Sequence, residues 1–178
     1  MNHRKAVLAG MSGAAAMTLF AMVLRALDLT RLNLELLWGS LLTRSFSDGS
    51  WVVGLLVHMA MGAAIGLLYA RVLERGGGWQ RGLELGGFHA VVSGLFLPIL
   101  AQLHPLVREQ VLTRPGVFAM RTDWQVVLLF VVLHLAYGTV VGAYYPAPPA
   151  EPEVSPEPVL ARPRALQEQL VHPRSPHS

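Results

Sequence analysis

The chain has 178 residues, of which 53% are hydrophobic and 14% charged. Soluble domains carry about 25% charged residues, so composition argues against an ordinary water-soluble globule. There is no Cys, which excludes disulfides, thiolate metal sites and cysteine nucleophiles. The net charge of +3 comes without the interleaved basic and aromatic residues of a nucleic-acid platform, so no nucleic-acid partner is expected.

Four apolar stretches, 6–24, 51–73, 83–101 and 124–145, dominate the chain. At 1.5 Å rise per residue each is about long enough to cross a ~30 Å hydrocarbon core. None carries Asp, Glu or Lys in its middle. The expected fold class is an all-α membrane protein with four transmembrane helices, and the lipid bilayer is its first partner.

The first span follows "MNHRK". Its apolar run exceeds the ~7–15 residues of a signal-peptide core, and "RALD" is a poor cleavage site, so a retained helix is expected. After it comes "RALDLTRLNLELLWGSLLTRSFSDGS". Leu34, Leu37 and Leu41, with Trp38 beside them, predict a short helix lying in the membrane interface. Asp48 or Ser50 is placed to cap the second span. "ERGGGWQRG" reads as a tight turn into the third span. There Pro98 frees the carbonyl of Gly94 and predicts a kink. The second long loop, residues 104–123, repeats the plan: a short amphipathic piece, a Pro-Gly turn, then Asp123 before Trp124. Asp28, Glu35, Asp48, Glu109 and Asp123 read as caps or solvated loop charges, and Glu84 as a partner for Arg81. Residues 146–178 hold nine of the 12 Pro and lack apolar periodicity. They read as a disordered or polyproline tail beside a transmembrane domain of residues 1–145.

Arg4 and Lys5 precede the first span, and Arg71, Arg75 and Arg81 crowd the shortest loop. The other connections spread Arg25, Arg31, Arg44, Arg108, Arg114 and Arg121 over longer segments. Density in short loops favours both termini in the cytoplasm.

"HMAMGAAIGLLY" (58–69) and "HLAYGTVVGAYY" (134–145) agree at five of 12 positions, at an offset of 76. "LTR" recurs at 42–44 and 112–114, and Trp51 and Trp124 open the two spans. The first span also aligns with the third, Ala9 over Gly86. The chain therefore reads as two tandem two-helix hairpins related by a pseudo-twofold axis along the membrane normal. Gly62 and Gly66, Gly138 and Gly142, and Gly86, Ala90 and Gly94 recur as small-xxx-small patterns. Such patterns let helix backbones approach closely where lipid offers no hydrophobic drive, inside one chain or in a homo-oligomer or larger complex.

The stretches "LAGMSGAAAMT", "GGFHAVVSG" and "HLAYGTVVGAYY" resemble the small four-span bacterial inner-membrane proteins of unknown function. The resemblance covers about residues 5–145. It implies four spans and a bacterial inner membrane, and it implies no activity or catalytic residue.

A histidine inside a span is a functional hypothesis by default. Three readings of His58, His134 and His89 stay open. In the first, each imidazole ties helices together through a carbonyl or Ser. In the second, His58 and His134 are axial ligands of a haem b, with Arg44 and Arg114 meeting its propionates. In the third, His58, His89 and His134 bind a proton, a divalent metal or a quinone transiently. His104 stands at the end of the third span. No metalloprotease, serine-hydrolase or phosphate-loop motif accompanies them. The expectation is a non-enzymatic membrane protein, structural or accessory, with a small haem b or metal-binding membrane protein of electron transfer as the alternative.

Overall fold

A computed structural model of the chain describes residues 1–121 and 124–145. The expectations for Asp123 and for the tail 146–178 lie outside the described residues. The regular elements are helices: α1 (His3–Ala26), α2 (Leu34–Thr43), α3 (Asp48–Leu73), α4 (Trp79–Leu103), the single turn α5 (Pro105–Arg108), a 3-10 turn at Val117–Ala119, and α6 (Trp124–Ala143). Four of them, α1, α3, α4 and α6, are long and apolar enough to cross a membrane. The architecture is thus all-helical and multi-pass.

Capping explains why α1 and α3 start earlier than their apolar cores. The Asn2 side chain accepts the Lys5 N–H at 3.0 Å and starts α1 at His3. Ser47, rather than Asp48 or Ser50, caps α3, accepting the Ser50 N–H at 3.2 Å. Asp48 instead occupies the first turn, where a negative charge suits the helix dipole. Ser50 is buried and bonds to Thr43, Ser45 and Ser47. Gly78 precedes α4 with φ 111°, a conformation that glycine adopts without strain. Pro98 sits inside α4, which continues through it to Leu103.

The spans neighbour one another in the order α3, α1, α6, α4, while α3 and α4 scarcely touch. The seam between α1 and α3 is backbone on backbone. A Cβ at Gly10 would run into the carbonyl of Gly62 and the Cα of Gly66, and one at Gly66 would meet the carbonyl of Ala6 at 2.5 Å. The α4–α6 seam has the same construction. Gly82 lies against the carbonyl of Gly138 and the Cα of Gly142, and Gly86 against the carbonyl of His134. Such contacts align Cα–H groups with carbonyls, each worth about 0.5–1 kcal/mol. Tyr137 joins the pairs: its ring lies over Gly13 of α1, and its Oη donates to the Gly62 carbonyl of α3 at 2.7 Å.

The short helix expected over 34–41 is α2. α2 packs lengthwise on α3, and its buried residues are Leu34, Glu35, Gly39 and Ser40. The reason is again close approach, since Gly39 meets the Ser50 carbonyl and Gly54 meets the Glu35 carbonyl. In the second long loop, α5 is one turn that buries Leu106 and Val107.

A methyl group at a seam must push backbone against backbone. Gly10→Ala and Gly82→Ala should each destabilise the protein by about 1–3 kcal/mol, the usual cost of overpacking. Gly76→Ala, with nothing within 4 Å of its Cβ position, should change stability by less than about 0.5 kcal/mol. Unfolding in mixed micelles with rising dodecyl sulfate fractions measures all three.

Candidate functional site: a histidine-lined intramembrane cavity

The separation of α3 from α4 leaves a cavity of about 170 Å³. α3 contributes His58, Met61, Gly62 and Ile65, and α4 contributes His89, Ser93, Phe96, Leu97 and Leu100. Met17 of α1 and Phe130, His134 and Tyr137 of α6 complete the wall, and Leu34, Leu37 and Trp38 of α2 close one end. The three spanning histidines therefore meet at one cavity. Phe96 lines it while remaining 51% exposed, so the cavity reaches the lipid-facing side of the bundle between α3 and α4.

Each imidazole is held differently. His134 Nδ1 donates to the Phe130 carbonyl at 2.7 Å, on its own helix rather than across a contact. Its ring lies 4.3 Å from that of Phe130 and edge-on to His89 at 4.8 Å. His58 Nδ1 lies 3.1 Å from Thr18 Oγ1 of α1 and 3.6 Å from Glu35 Oε1 of α2, and so ties three helices. His89 packs edge-on to Tyr69 and Tyr137, and its Nδ1 is buried without a hydrogen-bond partner.

Glu35 corrects the expectation of a solvated loop charge: it is 1% exposed. Its carboxylate sits 3.5 Å from Arg25 at the end of α1 and 3.6 Å from His58. Burial pushes its pKa up. Contacts with His58, its own backbone amide and Thr18, together with the Arg25 charge, outweigh that and hold it below the ordinary value. The sequence could have flagged Glu35, because it shares a helix face with Gly39 and sits among leucines. Asp28, Asp48 and Glu109 are exposed as expected. Arg81 and Glu84 pair at 3.1 Å on the surface.

His104 lies in a separate cluster. It is fully buried, with Nε2 donating to the Leu37 carbonyl at 3.1 Å and 3.3 Å from Ser40 Oγ. Of the glycines singled out from the sequence, Gly62, Gly66, Gly86, Gly138 and Gly142 lie in the helix seams. Gly94 receives the ring of Phe118 instead.

The cavity does not fit a haem. About 170 Å³ is below the roughly 300–1,000 Å³ of pockets that hold drug-sized ligands, and a porphyrin is larger still. Arg44 and Arg114, the expected propionate partners, are both exposed and line no part of the cavity. Among the described residues, no three His, Asp or Glu side chains are grouped to hold a metal ion. No family model matches the chain, and no curated protein or solved structure matches it either. The likeness to four-span bacterial membrane proteins therefore rests on the Gly and His motifs alone.

The buried cluster carries a pH signature. A carboxylate whose folded pKa is depressed contributes fully above the ordinary 4.5 and loses that contribution as pH falls through the folded value. Glu35→Gln should flatten this acid limb of the stability profile. Glu35→Ala, which strands the Arg25 charge, should cost about 3 kcal/mol at pH 7. Unfolding of each variant across pH 3–8 measures both effects.

Proposed function

We propose that this protein is a non-enzymatic, structural or accessory component of a bacterial inner membrane. It is built from two tandem hairpins, α1–α3 and α4–α6, with both termini in the cytoplasm. The observation that carries the reading is the paired construction of the glycine seams. Ala6, Gly10 and Ala14 meet Gly66 and Gly62 in the way that Gly78, Gly82 and Gly86 meet Gly142 and Gly138. This supports a duplication at offsets of 76 between α3 and α6 and 72 between α1 and α4. At that offset the counterpart of His89 is Met17, rather than the Ser12 that placing Ala9 over Gly86 would pair with it, and both Met17 and His89 line the cavity. The histidines fit the same reading as internal ties, since His58 and His104 link separate helices through Thr18, Glu35 and the Leu37 carbonyl.

The natural absence of Cys makes orientation directly testable. Ser45→Cys lies between α2 and α3, and Arg75→Cys lies in the turn between α3 and α4. In intact spheroplasts an impermeant maleimide should label Ser45→Cys, and should reach Arg75→Cys only after lysis. The reverse pattern overturns the orientation. A second measurement separates this reading from the haem alternative. Protein purified from haem-replete cells should show no Soret band, oxidised or dithionite-reduced. A Soret band lost in His134→Ala would replace the structural reading with electron transfer.

A further inference from the structure

The seams explain why α3 and α4 stand apart, yet nothing in them uses the cavity between those helices. Its size is informative. A cavity of about 150 Å³ lined by Leu, Ile and Phe stays dry and accepts one benzene ring, so 170 Å³ suits a single six-membered ring. Most of its wall is of that apolar kind: Met17, Leu37, Ile65, Leu97, Leu100 and Phe130.

The polar part of the wall selects what the ring carries. His134 has committed its Nδ1 proton to the Phe130 carbonyl, so its other ring nitrogen is an acceptor in the neutral form. His89 Nδ1 is a buried polar atom with no partner in the protein. Such an atom costs about 1–3 kcal/mol unless something satisfies it. Two imidazoles 4.8 Å apart, one of them offering an acceptor, ask for a ring bearing hydroxyl donors. The route in is sideways: Phe96 borders both the cavity and the outside, so a ligand with an apolar tail can leave that tail in lipid.

We propose that the cavity binds the head of a lipid-soluble ring alcohol, a quinol or alkylphenol, entering from the bilayer between α3 and α4, with His89 and His134 as its hydrogen-bond partners. The proposal concerns binding alone. A ring without hydroxyl donors would leave the acceptor nitrogen of His134 unsatisfied, even where a quinone carbonyl accepts from His89, so the site should prefer the hydroquinone to the corresponding quinone and to the bare aromatic ring.

The test uses the full chain in lipid nanodiscs, kept anaerobic, with tritiated decylhydroquinone as the probe and empty nanodiscs subtracted. Binding should saturate at one per chain, with decylbenzoquinone and decylbenzene competing at least about tenfold less well, the equivalent of one lost hydrogen bond. His89→Phe should weaken binding about tenfold. Ser93→Leu, which fills the cavity and leaves every imidazole in place, should abolish it. If His89→Phe does not fold, Ser93→Leu and the competitor series decide the matter. Absence of saturable binding overturns the proposal. So does equal competition by decylbenzene, which would make the cavity merely apolar, or unchanged binding in folded Ser93→Leu.

Discussion

The structure depends on backbones that touch. In lipid, an apolar side chain gains nothing from exchanging a lipid neighbour for a protein one, so spans associate through van der Waals contact and hydrogen bonds. Both grow as helix axes approach, and only residues without bulk permit the approach. Gly10 against Gly62 and Gly66, and Gly82 against Gly138 and Gly142, bring the axes together. The large residues are displaced outward, so that Leu56, Phe88, Leu95 and Leu128 face away from the protein. This is the reverse of a soluble bundle, where Leu and Phe would fill the centre.

The same constraint places the cavity. Along α3 the seam-facing stripe reads Gly54, His58, Gly62, Gly66, and along α6 it reads Phe130, His134, Gly138, Gly142. Each stripe allows contact at two consecutive glycines and then meets an imidazole one turn on. At His58 a side chain replaces backbone, and its polar atoms need partners. Thr18 and Glu35 supply them, the latter delivered by α2 because Gly39 and Gly54 let that helix lie flat on α3. The buried Glu35 is tolerable in turn because Arg25 balances its charge. One close contact thus requires the next: seam, histidine, carboxylate, guanidinium.

The four spans were legible from length and hydropathy, which depend on no neighbour. The glycine stripes on α3 and α6 were legible because the same spacing of His, Ala, Gly, Gly and Tyr occurs in both, while Gly10 and Gly82 were hidden among other small residues. α2 shows why the remainder was not legible. Leu34, Leu37 and Leu41 describe a face that would suit lipid or protein equally, and nothing local states that Gly39 has a glycine waiting fifteen residues later. Glu35 was misread for the same reason, because a carboxylate's environment is set by Arg25 and His58, which come from other helices. The haem reading relied on two histidines and two arginines at matching sequence positions. Arg44 caps α2 and Arg114 lies on a loop, so equivalence along the chain did not become proximity.

If the hairpins are copies, their differences are as telling as their likeness. The seam positions retain small residues in both, since any addition would separate the axes. Of the positions that line the cavity, His58 and His134 coincide, whereas Met17 stands for His89 and Met61 for Tyr137. A symmetric pair of hairpins would line the cavity symmetrically. Here the α1–α3 side offers methionines and a histidine already engaged by Glu35, while the α4–α6 side offers two imidazoles edge to edge with a tyrosine. Packing alone would not require that divergence, because Met fills a gap of almost any shape. Aromatic and ionisable side chains concentrated on the α4–α6 side give the cavity a direction, with a softer wall facing a hydrogen-bonding one, and a flat ring with polar edges is the shape that such a space accepts.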